Sequence, residues 1–184
     1  MKKTGVVIGA IILVVIVILG AWGISTNNSL IKMEESMKQN QAEIDNQLKR
    51  RADLIPNLVN SVKGITSQEQ KIVDSITSSR EKMMTGSTED KLNANDELTK
   101  NINLLIENYP EIKSDKAFVS LMDEISGTEN RIAVSRKNYN DQVAAYNKKI
   151  KMFPNSIIAN MFGHSQGQYL KASEAEKTTP NVSF

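Results

Sequence analysis

Twenty consecutive uncharged residues, Gly5 to Ile24, constrain this chain more than any other feature. They read GVVIGAIILVVIVILGAWGI. As a helix rising ~1.5 Å per residue the run is about 30 Å long, the thickness of a hydrocarbon core. Lys2 and Lys3 precede it, and Trp22 stands at its far end, where an interfacial aromatic belongs. A cleaved secretory signal is the rival reading, because Met-Lys-Lys is a serviceable n-region. A signal h-region is shorter, however, at about 7–15 residues, and Ala21-Trp22-Gly23 is a poor cleavage site. No cysteine follows for lipidation. The expectation is an uncleaved anchor over residues 1–24. Lys2 and Lys3 lie before it, and the basic residues Lys32 and Lys38 after it are diluted by Glu34 and Glu35. That bias favours the N-terminus inside and the remaining chain outside a cell membrane.

Setting Lys2 and Lys3 aside leaves 21 basic and 21 acidic residues, all beyond the span. A neutral remainder argues against nucleic acid or an anionic lipid surface as the main partner. The chain has 0 Cys, hence no disulfide, thiolate nucleophile or thiolate metal site.

After the span the apolar residues recur at helical spacing. Leu30, Met33, Met37, Ile44 and Leu48 form a sparse stripe that thickens through Leu54, Ile55, Leu58, Val59, Val62, Ile65, Ile72, Val73 and Ile76. Its phase passes Gly64 without a slip, which predicts one helix to about Met83. Pro56 removes a backbone donor and crowds the Ala52 carbonyl, so a kink is expected there. The alternative is a fresh helix capped by Asp53, with Pro56 in its first turn. Thr85-Gly86-Ser87 marks a turn, and Ser87 or Thr88 can cap a second helix with Glu89 and Asp90 in its first turn. Leu92, Leu98, Ile102, Leu105 and Tyr109 line one face before Pro110 ends it. Ser114 is expected to cap a third helix striped by Phe118, Leu121, Met122, Ile125, Ile132, Tyr139, Val143, Tyr146, Ile150 and Phe153. Pro154 stops it, and Asn155 to Phe162 suggest a short fourth helix closed by Gly163.

Each stripe needs a partner to bury it, and short connections make successive helices antiparallel. The fold class is therefore all-α: one N-terminal transmembrane helix, then an antiparallel bundle of three to four long helices. The bundle is expected over 25–163, with a polar, flexible tail over 164–184.

Several segments resemble the LemA family. They are Arg51-Ala52-Asp53-Leu54-Ile55-Pro56-Asn57-Leu58-Val59 followed by Val62-Lys63-Gly64, then Glu107-Asn108-Tyr109-Pro110-Glu111-Ile112-Lys113, then Glu129-Asn130-Arg131-Ile132-Ala133-Val134-Ser135-Arg136. Tyr139-Asn140, Tyr146-Asn147, Pro154-Asn155, Phe162-Gly163 and Pro180-Asn181-Val182-Ser183-Phe184 follow in the family's order. Two residues depart from its usual pattern, Ile65 and His164. The resemblance implies a membrane-tethered bacterial helical bundle without an established activity, serving as a scaffold or accessory protein of the cell envelope. It supplies no catalytic residues.

The candidate sites each have a plain structural explanation. Glu129 and Arg136 sit seven apart in the third helix's apolar stripe, where a charge needs a partner. Asp53, Asn57 and Arg51 are placed to face them across the bundle. The expectation is a polar layer that fixes register; the competing reading is an acid–base or ligand site around Asp53, Glu129 and Arg136. Tyr139-Asn140 and Tyr146-Asn147 repeat at one heptad, with rings for packing and amides for register or surface hydrogen bonds. The competing reading there is an aromatic ligand-binding face. His164 is expected in solvent, and Lys49-Arg50-Arg51 on a solvated helix face. Gly5 and Gly9 form one GxxxG, which permits a homo-oligomer. No P-loop, G-x-S-x-G, H-E-x-x-H or S-x-x-K is present. The sequence thus points to no catalytic residues, cofactor or metal. It points to membrane or envelope proteins as partners, to the membrane through the span, and not to nucleic acid.

Overall fold

The protein is described by a computed structural model that covers residues 2–62 and 70–171. Five α-helices follow in order: α1 (Lys2–Val62), α2 (Gln70–Met84), α3 (Thr88–Asn108), α4 (Lys116–Lys151) and α5 (Asn155–Met161). A 3-10 turn, Pro110–Ser114, joins α3 to α4, and the described residues include no strand. The all-α expectation is met, with an apolar N-terminal helix long enough to cross a membrane. The single helix predicted to run to about Met83 is not found: α1 is followed by a separate helix, α2, whose Arg80 lies against Ala52 of α1, whereas an unbroken helix would hold those residues about 42 Å apart. Gly64 and Ile65 lie outside the described residues, as does the closing Pro180–Phe184 segment.

The chain divides into two compact units. In the first, residues 39–62 of α1 pack with α2, α3 and residues 116–139 of α4. Here Ile44, Leu48, Ile55 and Leu58 from α1 are buried, with Ile76 and Met83 from α2, Leu98 and Leu105 from α3, and Ile125 and Ile132 from α4. Hydrogen bonds give the relative directions of the helices. Ser75 meets Asn101 and Lys82 meets Glu97, so α2 and α3 are antiparallel. Gln41 meets Thr88 and Arg51 meets Thr99, so α1 and α3 run parallel. Gln47 meets Arg131, and Arg51 meets Glu129, so α1 and α4 are antiparallel.

α1 continues through Pro56, so Asp53 does not start a new helix. Proline has no N–H, which leaves the Ala52 carbonyl without its usual i+4 donor. Arg80 Nε of α2 donates to that carbonyl at 3.1 Å. The fault in the ladder is thereby mended by a neighbouring helix.

The α2–α3 turn follows the sequence reading. Gly86 takes φ 89°, and Ser87 caps α3 in a reciprocal box with Asp90. The start of α4 differs by one residue. Asp115 Oδ1 accepts from the backbone of Ala117 at 2.7 Å and Phe118 at 3.2 Å, while Ser114 Oγ donates to the Glu111 carbonyl. An aspartate beats a serine there because its charge also suits the helix's positive end.

In the second unit, α1 from Trp22 to Lys38 packs with residues 140–151 of α4, with α5 and with the chain to Tyr169. Its core is Leu30, Tyr146, Ile150 and Ala159, with Met33 and Met37 against it. The span's residues before Ala21 face outward, and burial on α1 begins at Gly23. A Cβ at Gly23 would meet Ile158 Cδ1 at 3.2 Å, so glycine lets α5 lie close against this turn. Phe153 departs from its expected place in the stripe, being 80 % exposed where α4 ends.

Candidate functional site

The first polar cluster is assembled around Arg51, which is 2 % exposed. It stands in the α1 stripe between Leu48 and Ile55, so helical geometry points it inward. Its Nη1 donates to Asn95 Oδ1 at 2.6 Å and also pairs with Glu129; its Nη2 donates to Thr99 Oγ1 at 2.9 Å. Asn95 Nδ2 in turn donates to Glu129 Oε2 at 3.2 Å. Three helices therefore meet at one carboxylate. Burial pulls the Arg51 guanidinium down to about 10, and the charge of Asp96 works against that shift. Arg51 Nε and Asp96 Oδ1 find no protein partner.

A cleft of about 150 Å³ reaches this cluster, lined by Arg51, Thr99 and Glu129 beside Ile102, Met122 and Ile125. Binding pockets for organic ligands are generally about 300–1,000 Å³. The cleft is thus a small opening onto an ion pair, below the usual size of an organic-ligand pocket.

This is the expected polar layer with a different membership. Glu129 belongs to it, but Asp53 and Asn57 are exposed and contribute nothing. Asp53 lies two residues from Arg51, about 200° around the helix, and so faces away. Arg136 is buried and donates to the Lys171 carbonyl. Of the two expectations for Arg51, its place facing Glu129 across the bundle holds, while the solvated face it would share with Lys49 and Arg50 does not, since only those two are exposed. The apolar stripe Ile44, Leu48, Ile55, Leu58 carries the missing signal, because Arg51 falls on it. Asn95 falls likewise between Leu92 and Leu98.

The second cluster lies wholly within the other unit. Tyr146 donates to Glu34 at 2.5 Å, and His164 Nδ1 donates to the same carboxylate at 2.8 Å. His164 Nε2 stands 2.9 Å from Asn27 Oδ1. The His164 side chain is only 7 % exposed, contrary to the expectation of a solvated residue. Its nearest sequence neighbours are polar, and both partners lie on α1 more than a hundred residues away, so no local pattern announces them. Burial, then the hydrogen bond to Glu34 and its charge, push the Tyr146 hydroxyl upward. Burial works to raise Glu34, yet the hydrogen bonds from Tyr146 and His164 and the nearby positive charge hold it below its ordinary value of 4.5. Asn147 is buried and grips Gly167 from both sides, donating to its carbonyl at 2.9 Å and accepting from its N–H at 2.8 Å. The tail is therefore fastened at its start. Burial also raises Tyr139.

No group of three or more His, Cys, Asp or Glu among the described residues could hold a metal ion. Polar side chains here satisfy one another and cap backbone, which is what helical bundles with register-fixing layers do. The fold and its clusters define a helical-bundle protein with one long apolar N-terminal helix. Residues 40–184 match the LemA family, and the chain belongs to it. It is 25% identical to Protein LemA of Metamycoplasma hominis over 166 residues, covering 87% of this chain and 75% of that protein. Magnetosome protein MamQ 2 of Paramagnetospirillum magneticum is 30% identical over 74 residues, covering 40% of this chain and 27% of its own. MamQ of Magnetospirillum gryphiswaldense is 28% identical over 81 residues, covering 42% and 30%.

Proposed function

We propose that this protein is a membrane-anchored, non-enzymatic interaction module of the bacterial cell envelope, holding partner proteins near the bilayer. The observation that carries the reading is the economy of its polar groups. Arg51, Asn95, Thr99 and Glu129 spend their hydrogen bonds on each other, and Glu34, Tyr146 and His164 do the same. The first set opens only onto a cleft of about 150 Å³; His164 of the second borders a groove of about 460 Å³, but both of its ring nitrogens are already engaged by Glu34 and Asn27. The uncharged run from Gly5 to Ile24 supplies the anchor, with the N-terminus inside.

The test is made on the full-length protein in its own membranes. Alkaline carbonate should leave it in the pellet with an intact N-terminus, and release would end the anchor reading. Photocrosslinkers placed on exposed helix faces should capture the same few membrane or envelope proteins in repeat experiments. Labelling no different from that of an unrelated anchored helix would end the module reading.

A second reading has one observation of its own. The 150 Å³ cleft, with Arg51 Nε and Asp96 Oδ1 unpartnered nearby, suits a small polar ligand held by Glu129 and Arg51. Glu129→Gln would then remove the protein's cellular phenotype while leaving its melting temperature unchanged.

A further inference from the structure

We infer that the corner between α4 and α5 enters the interfacial layer of the same leaflet that the α1 span leaves. The inference rests on the anchor reading above and adds a second, independent contact with lipid.

Depth is the first argument. Ile158 of α5 packs on Gly23, the last residue but one of the apolar run Gly5 to Ile24. A span that ends at Ile24 therefore sets α5 at the edge of the hydrocarbon, about one helical turn from its boundary.

The second argument is which side chains α5 leaves uncovered. Ile158 and Ala159 face the core. Ile157 and Met161, one turn apart on another face, are 57% and 66% exposed. Phe153 precedes the helix and Phe162 follows it, both exposed, and Met152 adds a fifth large apolar group. Scattered apolar residues on a surface need no explanation, but five within eleven residues at a corner do. The contact with Gly23 supplies the cover: this corner lies where lipid begins.

Charge is the third argument. The last turn of α4 carries Lys148, Lys149 and Lys151. From Gln142 to Ser173 the chain has four lysines and no Asp or Glu. Whole-chain neutrality conceals this local asymmetry. Basic residues flanking an apolar tip with Phe are the composition of segments that lie in an anionic interface. Lys149 also reaches Ser29 of α1, which ties the basic turn to the helix that leaves the bilayer.

The chain has no cysteine, so single labels can be placed without background. Full-length Phe153→Cys and Met161→Cys, each carrying an environment-sensitive fluorophore, are reconstituted in phosphatidylethanolamine–phosphatidylglycerol vesicles containing doxyl-labelled lipids. Both should lose most of their emission to a shallow quencher and much less to a deep one. Leu13→Cys, in mid-span, should show the reverse order. Lys32→Cys, about 12 Å beyond Ile24 along α1, should be quenched by neither. Emission at 153 and 161 that matches Lys32→Cys, with Leu13→Cys still quenched, overturns the inference and leaves the anchor standing. A blue shift at 153 or 161 without lipid quenching also overturns it, since protein would then cover the corner. Failure to quench Leu13→Cys overturns the anchor itself.

Discussion

Glu129→Ala is expected to be costly because of what it strands. Arg51, 2 % exposed, would keep only the neutral acceptors Asn95 and Thr99 at hydrogen-bond distance. Removing one member of a buried ion pair costs about 3–5 kcal/mol. Glu129's side chain is 30% exposed, so solvent already screens part of the attraction and the lower end, about 3 kcal/mol, applies. For a protein of this size that lowers the melting temperature by roughly 6–12 °C. Arg51→Met should cost less, about 1–3 kcal/mol, because Glu129 can hydrate through the cleft and the main loss is the donor to Asn95 Oδ1. Arg51→Met with Glu129→Leu leaves no stranded charge and should regain at least half of what Glu129→Ala loses. Thermal melts of the full-length protein in detergent, followed by far-ultraviolet circular dichroism, measure all three. A Glu129→Ala melt within about 2 °C of the parent would refute the packing argument. So would a double variant no more stable than Glu129→Ala.

Arg80→Met removes the donor that serves the Ala52 carbonyl and should cost about 1–3 kcal/mol in urea unfolding. In a Pro56→Ala background, where an N–H returns to that carbonyl, the same change should cost far less; equal costs would refute the repair. Glu34 lies below its ordinary value of 4.5, so its contribution to stability is complete above that pH and disappears as pH falls through its lower native value. The melting temperature should therefore drop on acidification below 4.5, and Tyr146→Phe should shrink that drop; an undiminished drop would show that the Tyr146 hydrogen bond does not hold Glu34 down.

The apolar N-terminal helix and most helix ends are legible because each is written locally; the division between α1 and α2 is not, because the apolar phase runs on past Val62. Twenty uncharged residues, the Gly86 turn, Pro110 and Pro154 all act within a few positions of themselves. The need of Glu129 for a partner is legible too, from a charge standing in an apolar stripe. Arg51 is legible as a residue placed to face it across the bundle, but the run Lys49-Arg50-Arg51 misleads, because sequence neighbours do not share a helix face. Residues Lys49 and Arg50 share its charge but not its face. The service of Arg80 to Ala52 and of His164 to Glu34 had no local signature. Each joins groups 28 or 130 positions apart, and nothing in the residue types alone chooses those partners. Phe153 was misplaced for a different reason. Periodicity extends a stripe to its last apolar residue, whereas the helix ends at Lys151 and the chain then turns away.

The Arg51–Glu129 pair also accounts for a difficulty that apolar packing leaves open. On α1, Ile44, Arg51 and Leu58 succeed one another at intervals of seven; on α4, Met122, Glu129, Arg136 and Val143 do the same. Were all these positions aliphatic, α4 could slide by a heptad along α1 and still bury a comparable stripe. With the charges present it cannot do so cheaply. A slip in one direction sets Arg51 against Met122 and strands a buried cation. A slip in the other sets it against Arg136, bringing two cations together. Both displaced arrangements are penalised, while the native one pairs Arg51 with the carboxylate and Asn95 in a single layer. A buried ion pair contributes little net stability over an apolar pair of similar size, and its stronger effect is this discrimination between registers. The stable Arg51→Met, Glu129→Leu variant separates the two contributions. Its amide spectrum should show doubled or broadened resonances on α4, and one sharp native-like set would mean that register is fixed elsewhere.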